Sequence, residues 1–395
     1  MVWITDVMKR AERCKPPVLG GRSDKLGKIS FNDIVFMPAQ LQKRPFDYFK
    51  EKIETKTIIG KGSKKPMVLK MPIIIGAMSF GALSREAKIS LAKASSVVGT
   101  ATNTGEGGML PAERENAKLL IAQYSTGRFG VDKKYLRSAN AIEIKIGQGA
   151  KPGQGGLLPK EKLTKEIMKV RKLKEAKNVH SPPAHPDIFS IADLKKKVNW
   201  LRKETGGKPI IIKLGAGHVE KDVALAVKAN PDAISIDGHS GGTGAAPEVM
   251  LNNFGLPTIA AINRARKTLD KLKAKQDLIA GGGINTGADA AKALALGADA
   301  VFMGFALLVA MGCKYCKQCY LGKCPLGITS QTPRFRRNLH INKATQKITN
   351  FLTCCNEEIK MVAAATGNKN IHKLCRNDLR ALTSDMSQIA SVKLI

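Results

Sequence analysis

Four cysteines within twelve residues are the densest chemical feature of this 395-residue chain. Cys313, Cys316, Cys319 and Cys324 form a C-x2-C-x2-C-x4-C-P run. Several thiolates on one loop can close around a single iron–sulfur cluster, and bacterial ferredoxins use a similar run ending C-x3-C-P. Four thiolates also satisfy tetrahedral zinc, which stays open as the alternative. Pro325 turns the chain away without adding a backbone N–H. Lys314, Lys317 and Lys323 interleave the thiols and would offset part of a cluster's negative charge. A second set is Lys145, Gln148 and Lys151, spaced by three at the start of a Gly/Pro-rich stretch, 147–156. Ammonium and amide donors on one loop suit a carboxylate or phosphate ligand. A third set is glycine: Gly281-Gly282-Gly283 follows one apolar run and Gly304 follows the next. Glycine lets backbone N–H groups approach phosphate oxygens, and a helix N-terminus behind them favours an anion.

These groups need a scaffold. Short apolar runs recur at Pro72–Ile75, Thr100–Thr102, Ile142–Ile146, Ile210–Leu214, Ala233–Ile236, Leu278–Ala280 and Ala300–Met303. Runs of this length bounded by Gly read as buried parallel strands. Helical patterns lie between them, at Ser84–Val98, Lys221–Lys228 and Thr286–Leu296, the last with Thr286 as N-cap and Gly297 as stop. An eighth strand is expected near Asn178–Ser181, and Phe31–Pro38 holds room for a short one. The expected class is α/β, a (β/α)8 TIM barrel with an iron–sulfur cysteine loop and short N- and C-terminal extensions. Clustering of glycines and polar residues just after the strands favours the barrel over a doubly wound sheet. The divisions expected are an N-terminal extension 1–70, a barrel 71–330 and a helical, basic extension 331–395.

Composition narrows the classes. Hydrophobic residues are 43% and charged residues 25%, which excludes a disordered or collagen-like chain. Lys+Arg 65 against Asp+Glu 32 leaves a net charge of +33, which favours anionic partners. The lysines are dispersed and no nucleic-acid-binding motif accompanies them, so nucleic acid is not the expected partner. The remaining cysteines, Cys14, Cys354, Cys355 and Cys375, are scattered. One dense cluster in a large chain points to a reducing compartment rather than a disulfide scaffold. Residues 1–10 carry no secretory core and Val301–Met311 is too short to span a bilayer, so a cytoplasmic protein is expected.

Ordered motifs run through residues 70–330: Gly76-Ala77-Met78-Ser79-Phe80-Gly81-Ala82-Leu83-Ser84, Asn103-Thr104-Gly105-Glu106-Gly107-Gly108, Thr126-Gly127-Arg128-Phe129-Gly130-Val131, the segment 143–153, and Gly238-His239-Ser240-Gly241-Gly242-Thr243-Gly244-Ala245. With the cysteine loop they resemble the FMN-binding synthase domain of glutamate synthases. The resemblance implies FMN on a (β/α)8 barrel. It implies electrons passing through a [3Fe-4S] cluster, and hydride transfer to 2-iminoglutarate made from 2-oxoglutarate and ammonia. By position, Cys313, Cys319 and Cys324 match the family's ligands. Lys145, Gln148, Lys151 and Arg171 are similar to the polar set around 2-oxoglutarate. Ala77, Ser79, Asn103, Lys213, Gly242, Thr243, Gly282, Gly283 and Gly304 resemble FMN contacts, with Lys213 placed to stabilise an anionic reduced flavin. Glu106 and Lys151 are the implied catalytic residues. A general acid/base role for Glu106 requires burial and a raised pKa. Among the histidines His180, His185, His218 and His239, the last is the best functional candidate.

Three departures from the family qualify that picture. The chain opens Met1-Val2-Trp3, without the N-terminal nucleophilic cysteine of an amidotransferase, and Cys14 cannot replace it. Ammonia is therefore expected free or from a separate glutamine amidotransferase subunit. Cys316 adds a fourth thiol, which allows [4Fe-4S]. Leu157 stands where the family has Gln, which leaves open another 2-oxo acid or another amine, as in N-methylglutamate synthesis. A ferredoxin or other electron-donor subunit is the expected partner, in an oligomer. Isomerases and 2-hydroxy-acid oxidases share the barrel, but the cysteine loop argues against both. An electron-relay or RNA-associated barrel subunit is the non-enzymatic alternative.

Overall fold

The computed structural model describes residues 16–23 and 29–395 together with Met8 and Ala11; Cys14 lies outside the described residues. Eight parallel strands form one sheet: β1 Ile73–Ile75, β2 Ala101–Asn103, β3 Leu119–Tyr124, β4 Ala141–Lys145, β5 Ile210–Gly215, β6 Ala233–Asp237, β7 Asp277–Gly281 and β8 Ala300–Met303. From β2 to β8 each pairs with its neighbours in sequence, and β8 pairs back onto β1 through Val301↔Ile73, Phe302↔Ile74 and Met303↔Ile75. This is the α/β barrel expected. Side chains alternate across each strand. Ile74, Ala101, Ile121, Ala141, Ile211, Ala233, Ile279, Ala300 and Phe302 pack together inside it. Their neighbours Ile73, Ile75, Ile210 and Ile212 join the larger core under the helices.

The interior floor is sealed by a hairpin. Thr57–Ile59 pairs antiparallel with Met67–Leu69. Ile59, Met67 and Leu69 are buried against the inward residues of the strands.

One edge, β1 to β2, has no ladder in the sheet. Side chains bridge it instead. The Thr100 hydroxyl donates to the Ile73 carbonyl. The Lys88 ammonium donates to Met78 O at 2.6 Å, Asn103 O at 3.1 Å and Thr104 O at 3.3 Å. The same ammonium pairs with Glu113 at 2.7 Å, both side chains being almost fully buried. Burial pushes the Glu113 carboxyl up, with Lys88 opposing it. Lys88 comes from helix α1, Arg85–Val98, which starts where Ser84 accepts from the Ala87 N–H and stops at Gly99 with φ 74°. Both ends follow the usual capping chemistry.

The expected strand near Asn178–Ser181 is not part of the barrel. Val179–His180 pairs antiparallel with Leu157–Leu158 in the long β4–β5 connection. The missing barrel strand is β3. Its Leu-Leu-Ile-Ala-Gln run has helical propensity and follows the helix Pro111–Asn116. That helix ends because Ala117 turns extended and the Ser96 hydroxyl takes the Lys118 N–H.

Other expectations hold. Ile34–Phe36 is a strand, paired with Leu379–Ala381. Helix α2, Gly287–Ala295, is capped by Thr286 with Asp289 reciprocating. Beyond the cysteines, α3, Ile341–Ala365, places Glu358 on the Gly287 N–H at 2.7 Å. Cys355 is buried in α3, whereas Cys354 and Cys375 are exposed. Among the described residues, no helix is long and apolar enough to cross a membrane.

Replacing Lys88 with Met should strand Glu113 in the β1–β2 gap and cost about 3–5 kcal/mol. Chemical denaturation measures it. The double variant Lys88→Met/Glu113→Leu should regain most of the loss.

Candidate active site

At their C-terminal ends the strands switch from apolar to polar. Asn103 on β2, Gln123 on β3, Glu143 and Lys145 on β4 and Lys213 on β5 form a buried layer above the apolar floor, joined by half-buried Asp237 on β6. Glu143 Oε1 accepts from Asn103 at 2.9 Å and Gln123 at 2.7 Å. The Lys213 ammonium pairs with Asp237 at 2.9 Å and sits 5.0 Å from the Phe302 ring centre. Burial alone would lower its pKa, but Asp237 and Glu143 more than offset this, so Lys213 is held as a cation. Above the layer lies a cleft of about 190 Å³.

One end of the cleft carries the substrate-type donors. Lys145 Nζ meets Glu106 Oε2 at 3.0 Å and donates to Gln148 Oε1 at 2.7 Å. Lys151 Nζ donates to Ala245 O at 2.9 Å. Glu106 fits only because Gly156 has no side chain: a Cβ there would lie 1.9 Å from Glu106 Oε1. Burial would raise the Glu106 carboxyl, but Lys145 and Lys151 overcome it and hold the pKa at about 2. For Lys151, burial dominates and lowers the ammonium to about 8, against the pull of Glu106.

The other end is built from glycine. Gly282 and Gly283 have φ of 100° and 70°, and a Cβ on either would strike Gly238 O or Ser240. With Gly304 they leave backbone open to the cleft. Arg22 enters from outside the barrel and its Nη1 donates to Asn285 Oδ1 at 3.1 Å. It is delivered by Val18–Gly21, which pairs antiparallel with Thr243–Pro247 over the cleft.

The four cysteine thiols line a second, smaller cavity with Leu308, Leu326, Ile328 and Thr329. All are free, from buried Cys324 to exposed Cys316. Burial pushes the Cys313 and Cys319 thiols up. Among the described residues, no three His, Cys, Asp or Glu side chains are already drawn together as metal ligands. The donors are nonetheless all thiols on one loop around one apolar-walled cavity, which fits an iron–sulfur group. Cys319 lines both cavities.

Comparison with known proteins decides the family. The model of the conserved region in glutamate synthase matches residues 24–369. A glutamate synthase large subunit-like protein of Rhizobium meliloti (strain 1021) is 40% identical over 384 residues, 92% of this chain and 87% of its own. The archaeal glutamate synthase (NADPH) of Methanocaldococcus jannaschii is 39% identical, covering 88% of this chain and 74% of its own. The chain belongs to the glutamate synthase family. It is an oxidoreductase. Solved structures share its fold at much lower identity. They include a chimera of (S)-mandelate dehydrogenase (TM-score 0.60, 15% identical, 91% of this chain and 92% of that one) and flavocytochrome b2 with sulfite bound (TM-score 0.58, 16% identical, 95% and 83%).

Of the glutamate synthase-type residues expected, Ala77, Ser79, Glu106, Lys145, Gln148, Lys151, Lys213, Gly242, Thr243, Gly282, Gly283 and Gly304 all line the cleft. Leu157 lines it too. Asn103 and Arg171 stand behind it. Asn103 is tied to Glu143 and to the Gly105 N–H. Arg171 donates to Phe80 O at 2.7 Å. Both shape the wall rather than face the cavity. The raised pKa that an acid/base role for Glu106 requires is absent, because two ammonium groups outweigh its burial. His239 is buried against Phe254 O and His185 against Lys145 O, neither lining the cleft. Arg22, Gln123, Glu143, Asp237 and Lys162 are the site residues that sequence reasoning missed. Lys213 within Ile-Ile-Ile-Lys and Glu143 within Glu-Ile-Lys-Ile were readable as charges inside buried strands.

The Glu106 pKa, about 2 against an ordinary 4.5, gives a signed pH dependence. A depressed carboxyl contributes stability above its unfolded pKa and loses it as pH falls through the folded one. Glu106→Gln should therefore cost about 3 kcal/mol near neutrality. The Tm gap to the parent should stay constant above about pH 5 and narrow below it.

Proposed function

We propose that this protein reductively aminates 2-oxoglutarate to glutamate through 2-iminoglutarate, using FMN and an iron–sulfur cluster. The observation that carries the reading is one cleft joining three features. Paired lysines lie at one end, a glycine cradle at the other, and the shared Cys319 wall leads to the cysteine cavity. Gly282, Gly283, Gly304 and Arg22 would hold the FMN phosphate, and Lys213 would face the ring. Cys313, Cys319 and Cys324 would hold the cluster, with Cys316 available as a fourth ligand. The chemistry these groups supply when bound is hydride delivery to the imine carbon, fed by single electrons from the cluster.

The chain's own residues do the rest. Lys145 and Lys151 offer cations to the two carboxylates of the substrate. Glu106 and Gln148 fix Lys145 in direction, since both accept from its ammonium. Lys151, with a pKa of about 8, carries a proton at neutral pH and releases it easily, which suits protonation of the imine nitrogen. Lys213 keeps positive charge beside the ring position at every working pH. Thr243–Pro247 and its paired strand border the cleft through Gly21, Thr243, Gly244 and Ala245. An acidic electron carrier would dock by charge, with salt-sensitive rates.

Leu157 in the wall supports a second reading, a 2-oxo acid with a less polar tail. Anaerobic spectroscopy separates the two. The reduced flavin should reoxidise on addition of 2-oxoglutarate with ammonium and not with either alone. Reoxidation by another 2-oxo acid but not by 2-oxoglutarate would favour the second reading. Absence of any flavin band would overturn both.

Lys151→Gln should slow substrate-dependent reoxidation at least about 100-fold while leaving flavin bound. In the parent, activity should fall as pH rises through about 8, where the Lys151 cation is lost. Lys151→Arg keeps the charge but releases no proton, so its KM for the 2-oxo acid should stay near the parent value while reoxidation stays slow, as steady-state kinetics would report.

A further inference from the structure

Among the described residues, two ammonium groups in this region are buried without a carboxylate partner within ion-pair distance. Lys145 has Glu106, Lys213 has Asp237 and Lys88 has Glu113. Lys151 has only the Ala245 carbonyl, and its missing anion is the substrate proposed above. The other is Lys162. It is 3% exposed, in the 3-10 turn Lys160–Lys162 that follows the cleft wall Leu157–Pro159. Its Nζ donates to Ala82 O at 3.0 Å and to Cys319 O at 3.3 Å. Its stem lies on Gly322, where a Cβ would be 3.3 Å from Lys162 Cγ. It lines the cleft with Cys319 and Tyr320.

A buried cation with two carbonyls and no counter-ion carries a large desolvation cost. Such a site is stable when an anion comes to it. Its ammonium meets the backbone of Cys319, one of the residues that would hold the cluster. A cluster held by three thiolates is net negative and would supply the missing anion. The exposed lysines of the loop, Lys314 and Lys323, are screened by water and act weakly by comparison.

We propose that Lys162 is the buried counter-ion of the iron–sulfur group, a positioning residue that ties the cysteine loop to the cleft and sets the cluster's reduction potential. This rests on the cluster assigned under the proposed function. A buried positive charge favours the reduced, more negative cluster, so it raises the potential. It also stabilises bound thiolates. Its attachment to Ala82 O and Cys319 O holds the β1 loop and the cysteine loop at a fixed separation, the path an electron would take to the cleft.

The test compares anaerobically purified parent, Lys162→Met, Lys162→Gln and Lys162→Arg by iron and flavin content, EPR-monitored redox titration, and KM for the 2-oxo acid. The expected result is a cluster potential shifted negative in the Met and Gln variants and restored toward the parent by Arg, with flavin content and KM unchanged. Loss of iron from Met and Gln with flavin retained, and iron kept in Arg, would also support the role. An unshifted potential in an iron-loaded Met or Gln variant overturns it, and so does a raised KM without a shift, which would place Lys162 in the substrate site. Should neither neutral variant fold, a potential in Lys162→Arg far from the parent value would overturn the counter-ion role, since charge is conserved there. Parent protein without iron would overturn the cluster itself, and flavin content reports that case separately.

Discussion

Lys213 is buried at the centre of the barrel mouth, and a buried ammonium group without carboxylates beside it costs several kcal/mol. That constraint fixes much of what lies around it. Gly215 on β5 pairs in register with Asp237 on β6, so the Asp237 side chain reaches back to Lys213. On the other side Ile211 pairs with Glu143 on β4, whose charge also acts on Lys213. Glu143 in turn must be satisfied, and Gln123 on β3 and Asn103 on β2 supply the donors. One cation thus links five adjacent strands through a chain of polar side chains. The loops that begin at those strand ends inherit fixed starting points.

The layer is polar only at one end because β2 to β6 all make the same switch. Ala101 is followed two residues on by Asn103, Ile121 by Gln123, Ala141 by Glu143 and Lys145, Ile211 by Lys213, and Ala233 by Ser235 and Asp237. A step of two returns to the same face, so apolar floor and polar roof are both inward. The hairpin Thr57–Ile59 and Met67–Leu69 closes the floor with Ile59, Met67 and Leu69. Water is then excluded from below, and the polar layer opens toward the cleft alone.

This pattern explains what was legible. Ile73–Ile75 and Ile210–Ile212 announce strands because three successive Ile residues suit a barrel wall buried on both faces. Leu119–Tyr124 does not, because Leu, Ala and Gln are as content in a helix, and only its pairing with Ala101–Asn103 and Ala141–Ile144 settles the matter. The same division holds in the cleft. Lys145 ends β4 with Gln148 and Lys151 just beyond it, and the cysteines share one loop, so spacing exposes them. Lys162 and Arg22 gain their meaning from residues 157 and 263 positions away, Cys319 and Asn285. Arg171 shows the converse: a matched motif position whose guanidinium is spent on the Phe80 carbonyl.

The roof of the site depends on such distant meetings. Val18 pairs with Pro247, Leu19 with Ala246 and Gly21 with Thr243. Gly20 lies so close to the cysteine loop that a Cβ would approach Cys319 Cβ to 2.8 Å. The Tyr315 hydroxyl reaches Arg22 O at 3.0 Å, and Arg22 reaches Asn285. One short strand therefore staples the loops after β6 and β7 to the cysteine loop. Contacts between residues more than two hundred positions apart carry the largest closure entropy. The polar layer joins strands that are neighbours in sequence, whereas closing β8 onto β1 is itself such a distant contact. The cleft wall and the cysteine cavity are completed only when the N-terminal strand arrives, so the glycine end and the thiol loop acquire their geometry together.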